Sequence, residues 1–190
     1  MADTGRAHGS IRLLAPTTDE QWRQADTLIA ELKEWDVQQS RPLGFDRDEI
    51  LTAFYPSDAA DVRRDSVLPN GYLLIAMDAS APVGCAAFHR MTPDVCELYN
   101  VYVRPICRGK GVGSMLLQRL MSDARVAGYN SMRLETATFM HYAHRLYKTN
   151  GFKVRAPYRS VAAKFAAVTI WMEARLAQSD PSIHNATTGI

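Results

Sequence analysis

The feature that most constrains this chain is a change of period across one glycine-rich turn. Val95 to Val103 is an apolar, β-branched run that predicts a strand. Gly111 to Ala127 instead places Val112, Leu116, Leu120, Ala124 and Ala127 at helical spacing, a buried stripe widened by Met115 and Met121. Between the two lies Arg104 to Ser114, with glycines at 109, 111 and 113. A strand, glycine turn and helix in that order aim several backbone N–H groups and the positive helix end at one small anion. The glycines let a ligand approach the backbone with no Cβ in the way. The stretch therefore reads as a phosphate or pyrophosphate cradle, with Arg108 and Lys110 adding positive charge.

The rest of the chain supplies a layered fold around that turn. Ile11 to Leu14 predicts a short strand, and Thr17 to Glu20 supplies cap chemistry for a helix from Asp19 to about Val37 with Trp22, Ala25, Leu28, Ile29, Leu32 and Trp35 on one stripe. Arg41 to Gly44 breaks it, and Asp46 to Tyr55 is a shorter helix closed by Pro56. Ser57 to Asn70 leaves two readings open, a short helix or a mobile loop on the substrate side. Tyr72 to Met77 and Val83 to Met91 form a hairpin, followed by the strand that enters the glycine turn. After the helix, Gly128 is a C-terminal cap, and Ser131 to Thr136 is a strand parallel to its predecessor because a helix separates them. Thr138 caps a helix from Phe139 to Thr149, with Phe139, Tyr142, Ala143 and Leu146 inward. Phe152 to Val154 and Ala166 to Ala174 are the last strands. The fold class is α/β, or more narrowly α+β: a central mixed β-sheet with helices on both faces. One domain, 11–176, lies between a flexible N-terminus, 1–10, and a flexible tail, 177–190.

Several function classes drop out. A net charge of +2 without a basic stripe gives no nucleic acid partner. No apolar run approaches the roughly 20 residues that span a bilayer, so no membrane partner is expected. The N-terminus lacks the apolar core of a signal peptide, so the expected address is cytoplasmic. Cys85, Cys96 and Cys107 form no Cys-x-x-Cys pair and read as free, buried thiols, with Cys107 the one beside the loop. His141 and His144 have no third ligand near them in sequence, so no metal is expected. The glycines match neither the phosphate-loop pattern of kinases and GTPases nor the spacing of a dinucleotide fingerprint.

Two further stretches narrow the ligand. Arg108 to Gly113 resembles the acetyl-CoA signature Arg/Gln-x-x-Gly-x-Gly/Ala of the GNAT superfamily of N-acetyltransferases. Leu98 to Pro105 is similar to the strand before that signature, and Leu146, Tyr147, Gly151 and Phe152 resemble the later Leu-Tyr-x-x-x-Gly-Phe motif. The close resemblance covers Val95 to Tyr158. It implies a GNAT-like acyl-CoA acyltransferase fold and a co-substrate, acetyl-CoA, whose pyrophosphate would sit on the N–H groups from Gly109 to Ser114, Val112 included. It implies that the strand splays at a bulge near its end, where Val101 and Val103 would hydrogen-bond the pantetheine arm. Tyr147 matches the tyrosine that serves many members as general acid for the leaving thiolate. Glu97, six residues before Val103, stands where some relatives carry the general base, and burial in a sheet crevice is expected to raise its pKa. Glu135, His89, His141 and water are the other candidates for that role. Met140 departs from the family, which commonly has an asparagine seven residues before the tyrosine.

The resemblance implies an N-acetyltransferase acting on a primary amine of a small molecule or peptide, by direct attack in a ternary complex. Another acyl-CoA as donor, or a non-catalytic acyl-CoA-binding regulatory module, stands as the alternative. A homodimer through the sheet edge or the C-terminal strands is common in the family. Trp35, Phe54, Tyr55 and Tyr158 are candidates to line the acceptor mouth, and Asp46, Asp48, Glu49, Asp58 and Asp61 are carboxylates suited to a cationic amine.

Overall fold

The computed structural model describes residues 11–176; the expected lead-in, 1–10, and the tail, 177–190, lie outside the described residues. The elements follow as β1 (Arg12–Leu14), α1 (Asp19–Ser40), α2 (Arg47–Phe54), α3 (Ala59–Asp65), β2 (Gly71–Asp78), β3 (Ala81–Thr92), β4 (Val95–Val103), α4 (Val112–Val126), β5 (Ser131–Ala137), α5 (His141–Thr149), β6 (Lys153–Arg155), α6 (Ala163–Ala166) and β7 (Thr169–Arg175). The strands form one seven-stranded sheet in the order β1-β2-β3-β4-β5-β7-β6. Only β4 and β5 run parallel, as the intervening helix requires. None of the described helices is long and apolar enough to cross a membrane.

Helices cover both faces, and the sequence of β2 shows why. Leu73 to Met77 is buried without interruption. Leu73, Ile75 and Met77 pack with Cys85 and Ala87 against Ala25, Leu28, Ile29 and Leu32 of α1. Leu74 and Ala76 pack with Ala86 and Phe88 against Val112, Leu116, Leu117 and Leu120 of α4. A strand sandwiched in this way has no polar face to alternate with.

The short-helix reading of Ser57 to Asn70 is the one found. Asp58 caps α3 through the Asp61 N–H at 2.8 Å. The end of α3 closes onto β2 at Gly71, where a Cβ would lie 1.9 Å from the Asp65 carbonyl oxygen and 2.9 Å from that of Phe88. Gly71→Ala is therefore expected to destabilise the fold by about 2–3 kcal/mol, read as a lower urea midpoint with an unchanged slope.

Three expectations need correction. Tyr142 is 80% exposed, and Tyr147 takes the inward position instead. The cause is a later helix start: α5 begins at His141, and Thr138 pairs its N–H with the Val168 carbonyl rather than capping the helix. Met115 is 39% exposed while Leu117 is buried, because α4 turns its Leu116–Leu117 edge to the sheet. The last strand starts at Thr169, since the preceding alanine-rich segment forms α6 and inserts Phe165 between Phe45 and Phe54.

The decisive feature is where β4 loses its neighbours. It pairs with β5 only at Val95–Ser131, Cys96–Met132 and Glu97–Arg133, whereas β5 continues against β7 as far as Ala137–Thr169. The two strands part beyond Glu97. On its other side β4 slips register against β3 between Tyr99 and Tyr102, where Asn100 has φ 52°. This is the expected bulge, and asparagine is among the residues that tolerate positive φ. It reverses the alternation. Cys96 and Leu98 face α4 before it, Val101 and Val103 face α4 after it, and Tyr102 joins the α1 side.

Candidate active site

The cradle is built as the glycine pattern requires. Gly109 and Gly111 have φ 76° and 81°, and a Cβ on either would meet nothing within 4 Å. Gly111 is the N-cap of α4 and offers no capping side chain, so the first helical N–H groups, at Val112, Gly113 and Ser114, are open. Gly113 serves packing instead, since a Cβ there would lie 3.3 Å from Leu146 of α5. Lys110 is exposed beside this helix end. Arg108 lies back along β4: its Nε donates to the Val103 carbonyl at 3.0 Å, and its guanidinium stacks 5.3 Å from the Trp35 ring. The open N–H groups, the two flanking cations and the unpaired β4 edge from Leu98 to Val103 fit a diphosphate joined to an extended chain that carries amides.

Tyr147 stands on the α4 side of the gap. It is 6% exposed and packs on Phe152 at 5.8 Å between ring centroids. Its hydroxyl makes no hydrogen bond among the described residues. Burial, and then the charge of Asp36, pushes its phenol above the ordinary tyrosine range. Asp36 belongs to α1 on the opposite face, so its field reaches Tyr147 where β4 and β5 have separated.

On the α1 side the gap opens into a cavity of about 400 Å³ walled by α1, the segment 45–57, β3 to β5 and the α6–β7 corner. Glu97 lies in its floor. Tyr158 Oη donates to Oε1 at 2.6 Å, and His89 Nε2 sits 3.3 Å from Oε2. Burial pushes the Glu97 carboxyl up, but the hydrogen bonds of His89 and Tyr158 outweigh it and hold the group below its ordinary value. The expected raised pKa is thereby corrected: Glu97 stays ionised. Glu135 is fully engaged, by both arms of Arg159 at 2.5 Å and by Trp171 Nε1 at 2.8 Å. His141 is exposed, and His144 Nε2 contacts the Ala137 carbonyl at 2.9 Å. Met140 turns into the cavity, its sulfur accepting from Thr136 at 3.5 Å. No cluster of three metal-ligating side chains occurs among the described residues.

The cavity carries a carboxylate that the sequence reading passed over. Tyr55 Oη donates to Asp36 Oδ2, while Asp36 Oδ1 is buried without a partner among the described residues. Burial raises the Asp36 carboxyl to about 6 against the opposing Tyr55 bond. The signal was present, because Asp36 follows Leu32 by four residues and continues the buried stripe of α1. Four of the acidic residues singled out instead have other work. Asp46 and Asp58 cap α2 and α3, Glu49 pairs with Lys164, and Asp61 pairs with Arg64. Of the four aromatic candidates, Phe54 and Tyr55 wall the cavity; Trp35 lies under Arg108, and Tyr158 reaches it through Glu97. All three cysteines are free and buried, and burial pushes the Cys85 and Cys96 thiols up to about 12.

Comparison with known proteins agrees with this geometry. A family model described as acetyltransferase (GNAT) family matches residues 27–152. An uncharacterized N-acetyltransferase of Schizosaccharomyces pombe is 39% identical over 92 residues, 47% of this chain and 56% of that protein. The IAA acetyltransferase of Azospirillum brasilense is 31% identical over 114 residues, 58% of this chain and 74% of that one. Among solved structures, the PaiA N-acetyltransferase of Thermoplasma acidophilum in complex with coenzyme A superposes with a TM-score of 0.66 at 18% identity, covering 87% of this chain and 99% of that one.

Proposed function

Because the chain belongs to the GNAT family of acetyltransferases, we propose that it transfers the acetyl group of acetyl-CoA to a primary amine of a small molecule or peptide, by direct attack in a ternary complex. The observation that carries this reading is the parting of β4 and β5 after Glu97, which joins the open end of α4 on one face to the cavity on the other.

Each part then has a physical task. Backbone N–H groups from Gly109 to Ser114, with the dipole of α4, hold the diphosphate, and Arg108 and Lys110 add positive charge. The β4 edge at Val101 and Val103 pairs with the amides of the arm as an added strand would. Acetyl-CoA, when bound, supplies the activated carbonyl. A backbone N–H on the same edge stabilises negative charge developing on that oxygen. Tyr147, kept protonated by its raised pKa, hands a proton to the departing sulfur. Glu97, ionised between His89 and Tyr158, draws the acceptor's ammonium group into the cavity. A reducing, cytoplasmic setting is supported by the three free thiols.

Calorimetry with acetyl-CoA, followed by a thiol-release screen of primary amines, tests the proposal. Binding in the micromolar range and turnover with at least one amine are expected. Binding without turnover of any amine points instead to the regulatory module, and absence of binding removes both.

A further inference from the structure

We infer that Asp36 is the group that takes the proton from the attacking amine, with Tyr55 holding its carboxylate in place. The inference deepens the acetyl-transfer reading and rests on it.

Most carboxylates of the cavity are already engaged. Glu97 accepts from Tyr158 and has His89 against its second oxygen, and Glu135 is held by Arg159 and Trp171. Asp65, from the end of α3, has Arg64 at 3.3 Å. Among the described residues, Asp36 alone of the cavity's carboxylates has a buried oxygen, Oδ1, with no donor. A buried acceptor without a donor is expensive, and an incoming ammonium N–H is the group that relieves it. Lys33, one turn earlier on α1, does not fill the role: it lies over the Tyr55 ring at 5.5 Å. From α5, Tyr147 senses the Asp36 charge, so the proposed acid and this carboxylate flank the same gap.

The two carboxylates also divide the work by environment. Neighbouring donors hold Glu97 ionised, whereas burial lifts Asp36 to about 6, closer to working pH and better suited to gaining and losing a proton. In the step itself, the ammonium group gives one proton to Asp36 Oδ1, which passes it to solvent after turnover. The freed nitrogen lone pair forms the C–N bond, and the C–S bond breaks with its electron pair on sulfur. Sulfur takes the Tyr147 proton, and the second proton lost from nitrogen restores the phenol. The cavity walls also include Ile29, Phe45, Phe54 and Phe165, so the amine is best carried on an alkyl or arylalkyl body.

The test measures thiol release with acetyl-CoA and a panel of primary alkyl- and arylalkylamines, 2-phenylethylamine among them, for wild type, Asp36→Asn and Tyr55→Phe, with acetyl-CoA calorimetry on each. Wild-type kcat/KM should fall on the acid side with a midpoint near 6, because protonated Asp36 cannot accept. Asp36→Asn should lower kcat/KM by about 100-fold and remove that limb while binding acetyl-CoA like wild type. Tyr55→Phe should move the limb to higher pH, since the lost hydrogen bond was holding the Asp36 pKa down. Asp36→Asn activity within about threefold of wild type with the acid limb intact overturns the assignment and leaves the acetyl-transfer reading standing. Should Asp36→Asn fail to bind acetyl-CoA, the Tyr55→Phe profile decides: an unmoved limb overturns the assignment. Acetyl-CoA binding with no amine turned over by wild type removes the reading and this inference together.

Discussion

Replacing Tyr147 by phenylalanine is expected to lower kcat by about 1000-fold while leaving acetyl-CoA affinity within about a factor of two. The substitution deletes one oxygen from a ring that is buried and packed on Phe152, so the apolar contacts survive. The lost hydroxyl has no hydrogen-bond partner among the described residues, and no partner is stranded by its removal. What disappears is a proton held next to the gap between β4 and β5. Steady-state kinetics together with calorimetry separates the outcomes. Equal turnover by both forms removes the acid role, whereas a matching loss of affinity assigns Tyr147 to cofactor packing.

The second large effect is expected from Gly111→Val. Its left-handed φ of 81° is costly for any side chain and most of all for a β-branched one. The position is the N-cap of α4, so relief of the strain turns the first helical N–H groups away from their common aim. An added side chain also enters the open space at that helix end. Acetyl-CoA affinity should fall by about 100-fold, more than strain alone explains, because backbone donors aligned by the helix end are lost together. Thermal unfolding of the free protein should shift by only a few degrees, of the size expected for about 1–2 kcal/mol. A variant that binds acetyl-CoA like wild type would show that the loop does not hold the diphosphate.

The parts legible in the sequence are those whose signals are local. β4, the glycine turn and α4 follow from a period of two giving way to one of 3.6 within a few residues. The hairpin of β2 and β3 and the cap at Thr18 are equally local, and the cap forms a reciprocal bond with Gln21. Some errors arise where distant residues decide, others where a local signal was read for the wrong role. Tyr142 and Tyr147 exchange places because α5 starts at His141, a boundary fixed by the pairing of Thr138 with Val168 across the sheet. The acidic residues of α2 and α3 read as acceptor ligands from composition, but their own helix ends use them. Asp36 was not singled out, although its position on the buried stripe of α1 marked it as inward. Arg108 meets Trp35 only because α1 crosses the end of β4, which no spacing within either segment reveals.

A strand ordinarily assigns each residue to one side of its sheet by whether its number is odd or even. β4 breaks that bookkeeping with one surplus residue, Asn100, and both sides of the gap depend on it. Glu97 and Tyr102, an odd and an even position, can face α1 together, while Leu98, Val101 and Val103 all reach the α4 side. Drawing Asn100 into the regular ladder would leave a strand of respectable length and composition with its final third inverted: the Tyr102 ring driven among the aliphatic side chains around Leu116, and two valines turned toward the α1 layer, whereas deleting Asn100 would remove the bulge and leave Tyr99, Val101, Tyr102 and Val103 on their present sides. For a lineage descended from this chain, most substitutions along β4 are matters of degree, but keeping Asn100 out of the ladder is a matter of parity.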